Sequence, residues 1–167
     1  RDGRIFAFLD PSGGLNASRG DFAAIALLLR RPDGKHDLID CWVDRRPPEA
    51  QIEACFALHE KWTRLGFHGI HALAVEMLPK EQLWIRKVYE AHQEKHRRSG
   101  SPYWQLPWQV HHPTEAKASR IERIGPPLVQ GWLRLPEDLE DRIRDDAQGP
   151  HWRRLLEQLE EWPFNDH

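Results

Sequence analysis

The chain has 167 residues, 40% of them hydrophobic, with a formal net charge of −2, which suits one globular domain with a real core. The near-zero charge excludes a histone-like, wholly electrostatic nucleic-acid binder while leaving room for a local basic face. No apolar stretch approaches the ~20 residues of a membrane span, and no signal-peptide pattern is present. The first apolar run, over 4–10, is short and aromatic like a buried strand, and it ends on Asp10. A second strand is predicted over 20–30, stopped by Arg31-Pro32-Asp33-Gly34, whose Pro-Asp-Gly is a strong turn signal. A third follows over 36–43, and the three form an antiparallel meander.

Pro47-Pro48 opens a helix, because proline's missing N–H is no loss in a first turn. Ile52, Cys55, Phe56, His59 and Trp62 recur at helical spacing until Gly66 stops the run. A fourth strand over 69–76 ends on Glu76. A helix over 80–97 presents Leu83, Trp84, Val88 and Ala91 on one face, and a loop over 98–102 leads to a short fifth strand at 108–111. A helix runs from Thr114 to Ile124, broken by Gly125-Pro126-Pro127. A short strand at 132–135 and helices at 137–145 and 150–161 complete the chain. Three strands, then helix and strand in alternation, describe an α/β domain with a mixed sheet, a meander joined to parallel crossovers.

Cys41 and Cys55 lack metal-ligand spacing and read as buried free thiols, as in a reducing cytosol. The eight tryptophans are read as core rather than base-stacking platforms, Trp84, Trp104, Trp108 and Trp132 included. His92 and His96 stand at i, i+4 but lack the glutamate that zinc proteases place after the first histidine, and read as a solvated helix face. The basic runs Lys95-His96-Arg97-Arg98, Arg45-Arg46 and Arg153-Arg154 read as solvated helix ends or surface. His111-His112 lies near the expected crevice and reads as structural.

Asp10 and Glu76 close two apolar strands. In open α/β sheets the ligand crevice lies outside the carboxyl ends of the strands. If these strands are parallel neighbours, the carboxylates emerge side by side and repel unless a cation lies between them. Mg²⁺ or Mn²⁺ suits such hard oxygen donors, and two ions ~4 Å apart can drive phosphodiester cleavage. The alternative is that Asp10 caps a turn at Asp-Pro and Glu76 caps the next helix. Ser12-Gly13-Gly14 either brings backbone to a phosphate or is a plain loop.

Phe8-Leu9-Asp10-Pro11-Ser12-Gly13-Gly14 with Gly20-Asp21-Phe22-Ala23-Ala24-Ile25 resembles the first nuclease motif of the large terminase subunits of tailed bacteriophages. Ala74-Val75-Glu76 resembles their second acidic motif. Lys117-Ala118-Ser119-Arg120-Ile121 and the turn and strand through Pro136 resemble their Lys-x-x-Arg-Ile helix and following hairpin. The tail from Leu155 to His167 resembles the approach to their third acidic motif. The likeness runs the length of the chain, in order.

It implies an RNase H-like nuclease domain, with a five-stranded mixed sheet flanked by helices, that cuts concatemeric viral DNA during packaging with two Mg²⁺ or Mn²⁺ ions. Asp10 and Glu76 are the implied metal ligands. The third acidic group falls at Asp166 or just past the end, with His167 where that motif begins. Lys117 and Arg120 are implied DNA contacts, and Asp21 an auxiliary residue. No Gly-Lys-Ser/Thr phosphate loop occurs, so the family's packaging ATPase is expected elsewhere in a longer chain, of which 1–167 is one domain. Implied partners are double-stranded DNA, a portal protein and the small terminase subunit, in the host bacterial cytoplasm and with no membrane. The rival readings are a resolvase- or transposase-type RNase H-like nuclease, and a catalytically silent module that binds DNA or portal.

Overall fold

The computed structural model describes residues 3–12, 22–77, 79–112, 114–115, 119 and 122–160, with the backbone alone over 79–83. Strands β1 (Arg4–Asp10), β2 (Ala23–Arg30) and β3 (His36–Asp44) form the meander. Helix α1 (Pro48–Arg64) leads to β4 (Ile70–Glu76), and α2 (Pro79–Arg98) to β5 (Trp108–His111). The remaining elements are α3 (Gly125–Val129), β6 (Leu133–Arg134), α4 (Leu139–Arg144) and α5 (Gly149–Glu160). The sheet order is β5-β4-β1-β2-β3-β6, with β4 parallel to β1, β5 parallel to β4, and β6 parallel to β3. This is the mixed sheet expected, an antiparallel meander joined to parallel strands, with the two-residue β6 added beyond the five strands.

Strand side chains alternate between faces. Ile5, Ala7 and Leu9 of β1, Ile25 and Leu27 of β2, and Leu73 and Val75 of β4 turn to one face, where Ile52, Cys55 and Phe56 of α1 and Ile85 and Tyr89 of α2 cover them. The opposite face is covered over β2 and β3, where Leu38, Cys41 and Trp152 pack with Ala26, Leu28, Ile143 and Leu155. A β-bulge interrupts the alternation in β3. Leu27 pairs with Asp40 but Leu28 with Leu38, so Ile39 is the extra residue, and Ile39 and Asp40 both face α1 while Leu38 and Cys41 face the other core. Asp40, buried on the α1 side, accepts hydrogen bonds from Lys61 Nζ at 2.7 Å and Trp62 Nε1 at 3.0 Å.

Several expectations need correction. The described part of β2 begins at Ala23, not at 20, since Phe22 is outside the strand. Gly125-Pro126-Pro127 does not only break a helix. It opens α3, where prolines in the first turn lose no intrahelical hydrogen bond. Of the helix expected over 114–124, residues 119 and 122 are helical, and much of the segment lies outside the described residues. The inner face of α2 is Ile85, Val88, Tyr89 and His92, which keeps Val88 of the predicted stripe but turns the rest of it aside. Trp84 and Ala91 are exposed, and the Leu83 side chain lies outside the described residues. Trp132, 50% exposed just before the short edge strand, is not core either. His92 and His96 do not form a solvated face. Both rings stack on Phe56 of α1, at 6.5 and 4.7 Å, and meet Glu53. The basic end of α2 is an exposed helix end as read, with Arg97 and Arg98 paired to Glu94. Cys41 and Cys55 are buried free thiols, each pushed up to about 12 by burial.

Candidate active site

The register of β1 and β4 brings the two predicted carboxylates together. Ala7 pairs with Leu73, Phe8 with Ala74 and Leu9 with Val75. Asp10 and Glu76 are the next residues on each strand. Neighbouring strands lie ~4.8 Å apart, so the two emerge side by side. Leu9 and Val75 point into the core, so alternation turns Asp10 and Glu76 to the other face, where both are half-buried. Among the described residues, no helix covers that face over β1 and β4. Phe8 is 36% exposed there, and the covering helix α5 packs on β3.

The row continues sideways. Ala24 of β2 pairs with Asp10, and its small side chain leaves room there. His111 of β5 pairs with Glu76, and its ring lies against Phe8 at 5.9 Å between centroids. The ends of β4 and β5 are tied by the Met77 N–H, which donates to His111 O at 3.2 Å, and by His112 Nδ1, 2.9 Å from Met77 O.

The chain after Asp10 is held from α1. Gln51 is 1% exposed, and its Nε2 donates to Ser12 O at 3.2 Å and to Arg46 O at 2.8 Å. Ser12 is therefore buried and anchored rather than loose. Sequence reading missed Gln51; its one signal is a lone amide beside the apolar stripe of α1. At the same end of the sheet, Asp44 meets Arg46 and Arg154. Burial pushes its carboxyl upward. The Arg45 N–H, the Arg46 hydrogen bond and the charges of Arg154 and Arg46 outweigh burial and hold it below the usual carboxylate range. Arg154 also reaches Val43 O at 2.9 Å, clamping α5 to the end of β3.

Asp21, Lys117, Arg120, Asp166 and His167 lie outside the described residues, as do Gly13 and Gly14. Among the described residues, no group of three or more His, Cys, Asp or Glu is placed to hold a metal ion. What they provide is two acceptor-only carboxylates at adjacent strand ends, a donor set that fits a hard divalent cation in chemistry and is short of a full coordination shell.

No family model matches the chain, and no curated protein matches it. Solved structures with a similar arrangement include the yeast mitochondrial Holliday junction resolvase Ydc2, at 14% identity and a TM-score of 0.49, covering 96% of this chain and 83% of that one. RuvC of Thermus thermophilus in complex with a Holliday junction substrate matches at 15% identity and a TM-score of 0.40, over 72% of this chain and 73% of that one. The large terminase of bacteriophage HK97 matches at 17% identity and a TM-score of 0.41, over 81% of this chain but 30% of that one. At these identities the likeness is one of chain arrangement, not of function.

Proposed function

We propose that the chain is the nuclease domain of a phage or prophage large terminase subunit, a metal-dependent endonuclease acting on concatemeric double-stranded DNA during packaging. The observation that carries the reading is the register that sets Asp10 beside Glu76 on the open face of the sheet. The ordered motif resemblance supports it.

Asp10 and Glu76 would hold Mg²⁺ or Mn²⁺, with Asp166 or a carboxylate beyond His167 completing the set. When bound, the ions supply positive charge at the scissile phosphate and make water a stronger nucleophile. The chain's own residues do the rest. Parallel pairing to a buried core fixes the two carboxylates, and Gln51 fixes the turn behind Asp10. The open strip beside Phe8 admits substrate. Lys117 and Arg120 would contact the phosphodiester, and Asp21 and His167 would be auxiliary. Portal protein and small terminase subunit would hold the motor together in the host bacterial cytoplasm. Among the described residues, no helix is long and apolar enough to cross a membrane.

The test is plasmid cleavage in Mg²⁺ or Mn²⁺ by a chain carried on past His167. Asn keeps the shape of Asp10 but removes its charge, so Asp10→Asn is expected to abolish cleavage with the fold intact by circular dichroism. A wild-type rate in that variant would make Asp10 a turn residue and overturn the assignment.

A further inference from the structure

The far end of the same open face carries a second feature. Arg4 begins β1 and pairs directly, across the antiparallel ladder, with Arg30 at the end of β2. Like charges directly opposite one another in a sheet are destabilising. Several other arginines are neutralised by carboxylates. Arg31 and Arg134 meet Asp37, Arg97 and Arg98 meet Glu94, and Arg154 meets Asp44. Arg4 and Arg30 have no carboxylate partner among the described residues, and both are exposed. With Arg31, His68 and the backbone of Gly3 and Gly34 they line a cavity of about 440 Å³ that has no acidic residue in its wall among the described residues.

Alternation sets Arg4, Phe6, Phe8 and Asp10 on one face of β1. Six residues at ~3.3 Å place the arginine pair ~20 Å from the carboxylates, a span of about six base pairs at ~3.4 Å each. We propose that this arginine cavity is a phosphate-binding site that grips the backbone of the duplex whose other end reaches Asp10 and Glu76. The proposal rests on the nuclease reading for its ligand, and on the unpartnered cross-strand arginines for its place.

The experiment measures binding of a 30-base-pair duplex in Ca²⁺, which keeps a divalent ion present without relying on turnover, between 50 and 200 mM salt. The chains compared are wild type, the double variant Arg4→Gln/Arg30→Gln, and a control of equal charge, Arg86→Gln/Arg144→Gln. Each phosphate contact adds about 0.9 to the log–log salt slope. The arginine-pair variant should therefore lose about 1.8 of slope and bind roughly tenfold or more weakly at 100 mM, while the control stays near wild type. Wild-type binding with an unchanged slope in the Arg4→Gln/Arg30→Gln chain overturns this site alone. A wild-type chain that binds no duplex overturns it together with the nuclease reading. Inorganic phosphate binding that the variant loses, with duplex binding unchanged, assigns the cavity to a free anion and also overturns the proposal.

Discussion

His59 shows how one buried side chain ties stability to pH. Its Nδ1 accepts the Ile70 N–H at 2.9 Å, where β4 begins. Burial holds the imidazole below its ordinary value, so the folded chain keeps it neutral where the unfolded chain, titrating near pH ~6.5, takes up a proton. Folded-state depression means that the stabilisation is complete above about pH 6.5 and is lost as pH falls toward the folded value. The urea midpoint should therefore drop between pH 7.5 and 5.5, and His59→Asn, which keeps an acceptor without the titration, should flatten that drop. An equal drop in both chains would remove His59 from the account. Gln51 acts at the same scale. Replacing it by leucine strands the Ser12 and Arg46 carbonyls. A loss of about 1–3 kcal/mol is expected from chemical denaturation, and a neutral Gln51→Leu would show that the turn behind Asp10 is not held from α1.

At the scale of elements, α1 was legible from end to end because its signals are local. Pro47 and Pro48 open it. Gly66, at φ 88°, closes it, with Gly66 N–H bonded to Thr63 O and Phe67 N–H to Trp62 O, while Trp62 and Phe67 touch at 5.3 Å. Gly66→Ala should destabilise by about 1–2 kcal/mol, read from thermal unfolding; no change would mean that the cap relaxes freely. The inner face of α2 was not legible, because apolar character alone does not choose between neighbouring stripes. Trp84 was counted inward on hydrophobicity, while the stripe through Ile85, Tyr89, His92 and His96 is the one that meets Phe56. Gly125-Pro126-Pro127 carried a true signal with two meanings, since proline ends one helix and suits the first turn of the next.

For the molecule as a whole, the mixed sheet followed from strand runs separated by turn and helix signals, and so did the adjacency of the β1 and β4 ends that carry Asp10 and Glu76. Both strands are apolar because both are buried on the α1 side, and both carboxylates sit where the chain leaves the sheet. The residues proposed to complete the site, Lys117, Arg120 and Asp166, rest on the motif resemblance alone, because no strand pattern fixes the place of their segments. The bulge at Ile39, which turns both Ile39 and Asp40 toward α1, left no sequence mark. The central claim is that Asp10 and Glu76 hold a divalent ion together, and Mn²⁺ titration of this 167-residue chain, followed by electron paramagnetic resonance of the free ion, tests it most directly. Binding is expected to be weak but measurable in wild type, with at least a tenfold loss in both Asp10→Asn and Glu76→Gln. Equal Mn²⁺ affinity in all three chains would contradict it.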